Sequence, residues 1–276
     1  MKLCIFRHTW GVTEPLETCF ARYKAKGYDG IECPSAEKLP HGVNTRQLRD
    51  LLDEVSFDCI TPTFTAGDTV ADHVQSFREE LDRVMPLRPI KIGCHSGLDR
   101  FPIKDAITMY QEFVKIESDL GITVGHETHR SRVFYNPWTT RTVLEAVPEI
   151  RLLCDYSHWV CVCERIPEEP EIFDLCSDRC VHVHARIGYA EGPQVTDPDA
   201  PEFATERAAH ETWWMQVWDK QRANGESFTT LTPEFGPPPY LHTLPRTQEP
   251  VGDLEDICDR QAQNIRSLFM NWSREE

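Results

Sequence analysis

No run of 18 consecutive apolar residues occurs in the chain, so no segment reads as a helix able to cross a bilayer. The opening residues, MKLCIFRHTWG, hold too short an apolar stretch for a secretory signal, and a soluble, cytoplasmic protein is expected. Basic residues are in short supply: 29 Lys and Arg stand against 45 Asp and Glu, a formal net charge of −16. Binding to a phosphate backbone or an anionic membrane needs clustered cations, so neither nucleic acid nor membrane is expected as a partner. Two further absences are a GxGxxG after the first apolar run and a GxxxxGK[ST] loop, which removes the usual signatures of dinucleotide and nucleoside triphosphate binding. No linker rich in Gly, Ser or Pro and no low-complexity segment divides the chain. Cysteine is plentiful, with 11 residues, yet the paired CxxC spacing of a structural zinc site is missing. Cys154, Cys161, Cys163, Cys176 and Cys180 crowd together, and an odd count lying in apolar runs reads as reduced, buried thiols.

What is present is a regular alternation of short apolar runs with longer amphipathic segments, the signature of βα units and a parallel sheet. Eight runs qualify as strands, at 3–8, 29–33, 57–64, 90–96, 122–128, 151–157, 180–186 and 228–235. Helical patterns separate them; Leu48, Leu51, Leu52 and Val55 show the i, i+3, i+4, i+7 stripe, with Asn44 or Thr45 as cap, and Thr69 or Asp72 caps the next helix. Eight such pairs close naturally into one (β/α)8 barrel, an α/β fold occupying residues 1–276 as a single domain. The exception to the alternation is 187–208, a polar, Pro-rich stretch expected to be non-helical and to lie as a lid over the barrel end where active sites are built.

Four late strands finish on a potential metal ligand: Glu127 in GHETH, Asp155 in CDYSHW, His184 in VHVHAR and Glu234 in TPEFGP. Their separations, 28, 29 and 50 residues, correspond to one βα unit, another, and one unit plus the lid. All four therefore fall at matching heights on successive strands. Strand alternation puts Leu153, Asp155 and Ser157 on one face, and likewise His182, His184 and Arg186, and Thr230, Thr232 and Glu234. Two Glu, one Asp and one His form an oxygen-rich set suited to one divalent ion, Mn2+, Mg2+, Co2+ or Zn2+. Three converging carboxylates repel one another, and a cation removes that conflict. The competing reading, separate caps and surface ion pairs, sits poorly with carboxylates embedded in apolar strands.

GHETH, CDYSHW, HVHAR and TPEFGP, in this order and spacing, resemble the xylose-isomerase-like (β/α)8 superfamily, particularly its sugar and sugar-acid isomerase and epimerase branch. The resemblance implies that Glu127, Asp155, His184 and Glu234 hold one catalytic metal, and that Glu127 and Glu234 act as the acid/base pair. It further implies that His158 and Arg186 bind substrate oxygens, although the family often carries Asp where Arg186 stands. The chemistry agrees: chelation of a 2-hydroxycarbonyl acidifies the carbon-bound proton, and two carboxylates on opposite sides permit removal from one face and return to the other. The expected activity is isomerisation or epimerisation of a free sugar, keto sugar or hydroxy-keto acid through an enediolate. A dehydratase or lyase that expels a β-hydroxyl from the same intermediate is the alternative. The superfamily's three-zinc endonuclease branch also resembles the chain at His95, Glu127, Asp155, His158, His184 and Glu234. Its third-strand histidine is missing from ITPTF, however, and no D-x-H follows the seventh strand.

Several neighbouring residues keep more than one reading. Arg186 either holds a substrate carboxylate or enediolate, or forms an ion pair with Glu127, Asp155 or Glu191. His95 is a substrate ligand, a second-metal ligand or a hydrogen-bonded core histidine. His129 shares the face of Glu127 and is placed to orient it, whereas His126 points into the helix layer. Trp10, with Phe64, Trp138 and Trp159, follows strands and is expected to wall a sugar-sized pocket; Trp213, Trp214 and Trp218 read as a buried helix face. Tyr189 and the EGPQ segment are expected to close over substrate. Phosphorylated substrates are disfavoured, because GPPPY after Glu234 offers few amide donors where barrel phosphate sites lie. A small-molecule substrate is the expected partner, and self-association into a homo-oligomer is left open.

Overall fold

The structure is a computed structural model that describes residues 1–274. Its eight strands are β1 (Lys2–His8), β2 (Gly30–Glu32), β3 (Asp58–Phe64), β4 (Lys91–His95), β5 (Val124–Glu127), β6 (Arg151–Cys154), β7 (Cys180–His184) and β8 (Phe228–Thr232). They form a closed barrel in chain order, every neighbouring pair parallel and β8 returning to β1 through Ile5 opposite Leu231. The helices among the described residues are α1 (Leu16–Ala25), α2 (Thr45–Glu54), α3 (Val70–Val84), α4 (Ile103–Leu120), α5 (Pro137–Ala146), α6 (Ser157–Cys163), α7 (Pro170–Arg179), α8 (Ala204–Ala223) and α9 (Leu254–Trp272). This is the (β/α)8 architecture the alternation predicts. None of these helices is long and apolar enough to cross a membrane.

Local chemistry sets the helix starts. Asn44 and Gln47 exchange side-chain and backbone bonds in a capping box at α2, and Thr69 and Asp72 do the same at α3. Each such cap stabilises its helix by about 1 kcal/mol. Behind them Leu48, Leu52, Phe77 and Leu81 are buried against the strands, each contributing roughly 1.5–3 kcal/mol. This outer shell is the main core.

The barrel lumen is different. Its apolar cluster is small, Cys4, Phe6 and Ile60 with Phe228 against them. Lys91 reaches the Val181 carbonyl and the Thr230 hydroxyl, and His182 joins Thr230 at 2.8 Å and Thr232 at 3.1 Å. The register of β6 against β7 shifts between Leu152 and Leu153, so Val181 is skipped in the pairing, and its carbonyl is the one Lys91 takes. A bulge of this kind re-aims the residues beyond it, here His182 and His184.

Two expectations need correcting. The strand read at 151–157 stops at Cys154, and Ser157 begins α6 instead of sharing a strand face with Asp155. The stretch 187–208 is irregular only as far as Phe203, because α8 starts at Ala204 after a single 3-10 turn.

Candidate active site

The four ligand positions meet at the C-terminal mouth of the barrel. Glu127 and His184 are the last residues of β5 and β7, Asp155 follows β6 directly, and Glu234 lies two residues past β8. One donor atom from each falls within 4.8 Å of the others. His184 is the hub: its Nδ1 is 3.0 Å from Glu234 Oε2 and 3.5 Å from Glu127 Oε1, while Nε2–H donates to Glu32 Oε1 at 2.9 Å. Using Nε2 in this way leaves Nδ1 facing the carboxylates.

The charges are strongly coupled. Burial pushes the Glu127 carboxyl up, but His95 and His184 outweigh it and hold it well below the usual range. Burial also favours neutral His184, and Glu234, Glu32 and Glu127 reverse this to lift it well above its ordinary value. Asp155 is raised to about 6, chiefly by burial, with Glu127 and Glu234 adding repulsion and Arg186 opposing both. Without a metal, protonated His184 and the Arg186 guanidinium balance the carboxylates, and an ion on Nδ1 would take the place of that proton.

The donor set fits a divalent ion. Both oxygens of Glu127 are buried and meet only histidine nitrogens, His95 Nε2 at 2.7 Å from Oε2 and His184 Nδ1 at 3.5 Å from Oε1. Buried acceptors are normally satisfied, and a cation is what this arrangement would satisfy. Asp155 is more committed: Oδ1 accepts from the Ser157 amide at 3.0 Å, and Oδ2 pairs with Arg186.

Arg186, two residues past β7 and buried, lines the cleft and forms an ion pair at its foot. It pairs with Asp155, lies 3.4 Å from Glu234 Oε2, and donates to the Glu234 carbonyl at 3.2 Å and to His158 Nε2 at 2.9 Å. Accepting at Nε2 makes His158 a donor at Nδ1, and that buried Nδ1 has no partner among the described residues. Tyr240 covers the Arg186 guanidinium at 5.0 Å. His95, the last residue of β4, packs at a tilt between Phe64 at 4.6 Å and His129 at 4.5 Å, and the His129 and His158 rings lie 3.8 Å apart.

Above these groups lies a cleft of about 540 Å3 that includes Trp10, Phe64, His95, Glu127, Arg186 and Glu234 in its lining. Trp10 is 39% exposed at the rim, edge-on to Tyr240 at 5.0 Å, and its ring passes so close to Gly236 that a Cβ there would meet it at 2.2 Å. Trp138 and Trp159 do not line the cleft: Trp138 bonds Glu169 on the outer surface, and Trp159 is buried, donating to the Phe134 carbonyl. Trp213, Trp214 and Trp218 are buried on α8.

Three contributors escaped the sequence reading. Glu32, buried at the end of β2, carries the same signal as Glu127, a carboxylate closing an apolar strand run. Gln194, in the EGPQ segment, is buried and grips the loop of Glu234, accepting from the Gly236 amide at 2.6 Å and donating to its carbonyl at 3.1 Å. That ties EGPQ to the loop of Glu234, and neither EGPQ nor Tyr189, bridged to Gly192, lines the cleft. Tyr240, after three prolines, had no signal beyond being aromatic.

No protein-family model and no curated protein sequence matches the chain. Solved structures do. An L-ribulose 3-epimerase aligns over 100% of this chain and 97% of its own, with a TM-score of 0.68 and 14% identity. A xylose isomerase domain protein from Alicyclobacillus acidocaldarius aligns over 98% and 99%, at 0.64 and 14%. The probable 3-DHS dehydratase AsbF from Bacillus anthracis aligns over 96% and 99%, at 0.63 and 12%. An AP endonuclease of family 2 from Brucella melitensis shares the fold as well. The chain therefore has the xylose isomerase-like TIM-barrel fold, which carries several chemistries.

Proposed function

We propose that this chain is a single-domain, metal-dependent isomerase or epimerase acting on a free sugar, keto sugar or hydroxy-keto acid by proton transfer through an enediolate. The observation that carries the reading is the convergence of Glu127, Asp155, His184 and Glu234 on one point, with Glu127 and Glu234 both facing His184 Nδ1. Glu127, Asp155, His184 and Glu234 would hold a divalent ion, which would supply Lewis-acid polarisation of a bound carbonyl and so acidify the adjacent C–H. One of the two glutamates removes that proton and the other delivers a proton to the opposite face. Glu32 fixes the tautomer of His184. His158, buried outside the cleft lining, accepts from Arg186 at Nε2 and helps hold that guanidinium in place. Arg186 holds Asp155 and the Glu234 backbone in place, and its charge is largely spent there.

L-Ribulose 3-epimerase and the probable dehydratase among the structural neighbours keep both outcomes of an enediolate in view. Phosphodiester hydrolysis fits less well, since β3 ends in Phe64, an apolar ring against His95. The test is incubation of the Mn2+-loaded protein in D2O with a panel of ketoses, inososes and keto acids, read by NMR. Deuterium in an intact, isomerised product supports the proposal; a deoxy or unsaturated product assigns a dehydratase. Glu127→Gln and Glu234→Gln are each expected to slow exchange by roughly 100- to 10,000-fold. Exchange that survives both substitutions refutes the assignment.

A further inference from the structure

The two halves of the cleft differ in chemistry. The carboxylates, histidines and Arg186 gather at the floor, most of them from β4 to β8, with His8 and Glu32 from the ends of β1 and β2. The facing wall comes from the loops after β1 and β2 and the end of β3, and it presents Trp10, Val12, Pro34, Leu39, Pro40 and Phe64. Lys38 is spent in an ion pair with Glu80 at 2.5 Å, its ammonium 5.0 Å from the Phe64 ring. Above His8 and Glu32 at its foot, the wall adds the hydroxyls of Thr9 and Thr13.

Size points the same way. A cleft of about 540 Å3 lies within the roughly 300–1,000 Å3 that holds drug-sized ligands, and the floor groups occupy only one part of it. A hydroxyl-covered ring pressed against aliphatic and aromatic carbon would leave its hydroxyls unpaired, which is unfavourable. A single Trp can stack on a sugar face, but Val, Leu, Pro and Phe beside it form a surface for carbon.

We infer that the substrate has two parts: a hydroxyketone or ketose head seated on the carboxylate floor, and an aryl or bulky alkyl substituent lying against the wall from Trp10 to Phe64. This rests on the metal-dependent reading of the floor and narrows its substrate class away from bare sugars. Trp10, standing 39% exposed over the cleft, becomes the main contact for the substituent.

The test uses hydroxamates as head-group probes, because they chelate divalent ions through the same paired oxygens as a hydroxyketone. Calorimetry on the Mn2+-loaded chain compares acetohydroxamate, benzohydroxamate and 4-phenylbenzohydroxamate. The first ring is expected to tighten binding by roughly 30-fold, the gain from burying most of its apolar surface. Trp10→Ala should cut the benzo-to-aceto ratio by about 10-fold. If that variant fails to fold, Val12→Asp serves in the same comparison. Equal affinities for the three probes, or weaker binding of the larger ones, would overturn the inference while leaving the metal site standing. Failure to bind Mn2+ at all would overturn the reading beneath it.

Discussion

Glu32 offers a direct test of how the site is built, because it touches the cluster only through His184. Its Oε1 accepts from His184 Nε2 at 2.9 Å, and its Oε2 lies 3.4 Å from His182 Nε2. A carboxylate behind a ligating histidine fixes the ring and raises its basicity, and loss of such a partner typically lowers metal affinity 10- to 100-fold. Glu32→Gln keeps an acceptor in almost the same volume but removes the charge. It should therefore weaken Mn2+ binding by roughly tenfold, about 1.4 kcal/mol, with the fold intact. Glu32→Ala also strands the Nε2–H donor in a buried site, adding about 1–3 kcal/mol of destabilisation. Calorimetric titration with Mn2+ and urea denaturation of the metal-free protein separate the two effects. A Kd for Glu32→Gln within twofold of the wild type would refute the assignment of Nδ1 to the metal side.

Three other outcomes follow from the same geometry. Arg186→Met removes the cation beside Asp155 and should cost about 3–5 kcal/mol without metal; saturating Mn2+ should recover much of it, and an equal loss with and without Mn2+ would contradict the shared-charge picture. Gln194→Ala breaks both bonds to Gly236 and should cost about 1–3 kcal/mol, with Gln194→Glu recovering only part in urea melts, since a carboxylate cannot donate to the Gly236 carbonyl. Burial holds the His210 imidazole at about 4, where Nδ1–H donates to the Glu206 carbonyl and Nε2 accepts from the Gly188 amide. The unfolded chain takes up that proton first, near 6.5, so this contribution is complete above pH 6.5 and lost as pH falls toward 4, in total about 3 kcal/mol. Denaturation from pH 7.5 to 4.5 should show less of this slope in His210→Gln than in the wild type.

Much of this was legible in the sequence because a βα unit has a nearly fixed length. Residues that close successive strands therefore recur at regular intervals, and carboxylates in apolar runs stand out at those places. Glu127, Asp155, His184 and Glu234 come together for that reason. Alternation was a poorer guide past the strand ends. Ser157 starts a helix, and Arg186 and Glu234 lie on loops, where a period of two has no meaning. Arg186 could not be assigned from sequence, since its partner depends on side-chain placement across β6 and β7. The indole-rich wall was half right: Trp10 and Phe64 line the cleft, whereas Trp138 and Trp159 turn to the outer surface and the core. Gln194 was hidden for another reason. A buried glutamine in a polar, Pro-rich stretch looks like any exposed loop residue until the backbone it grips is known.

Diffraction at the manganese edge from crystals soaked in Mn2+ tests the central claim most directly. The account predicts one ion per chain bound by Glu127, Asp155, His184 and Glu234. An ion held instead by Glu32, His182 and His184, or by His95, Glu127 and His129, the other two groupings able to take one among the described residues, would contradict it, as would no bound ion at saturating Mn2+.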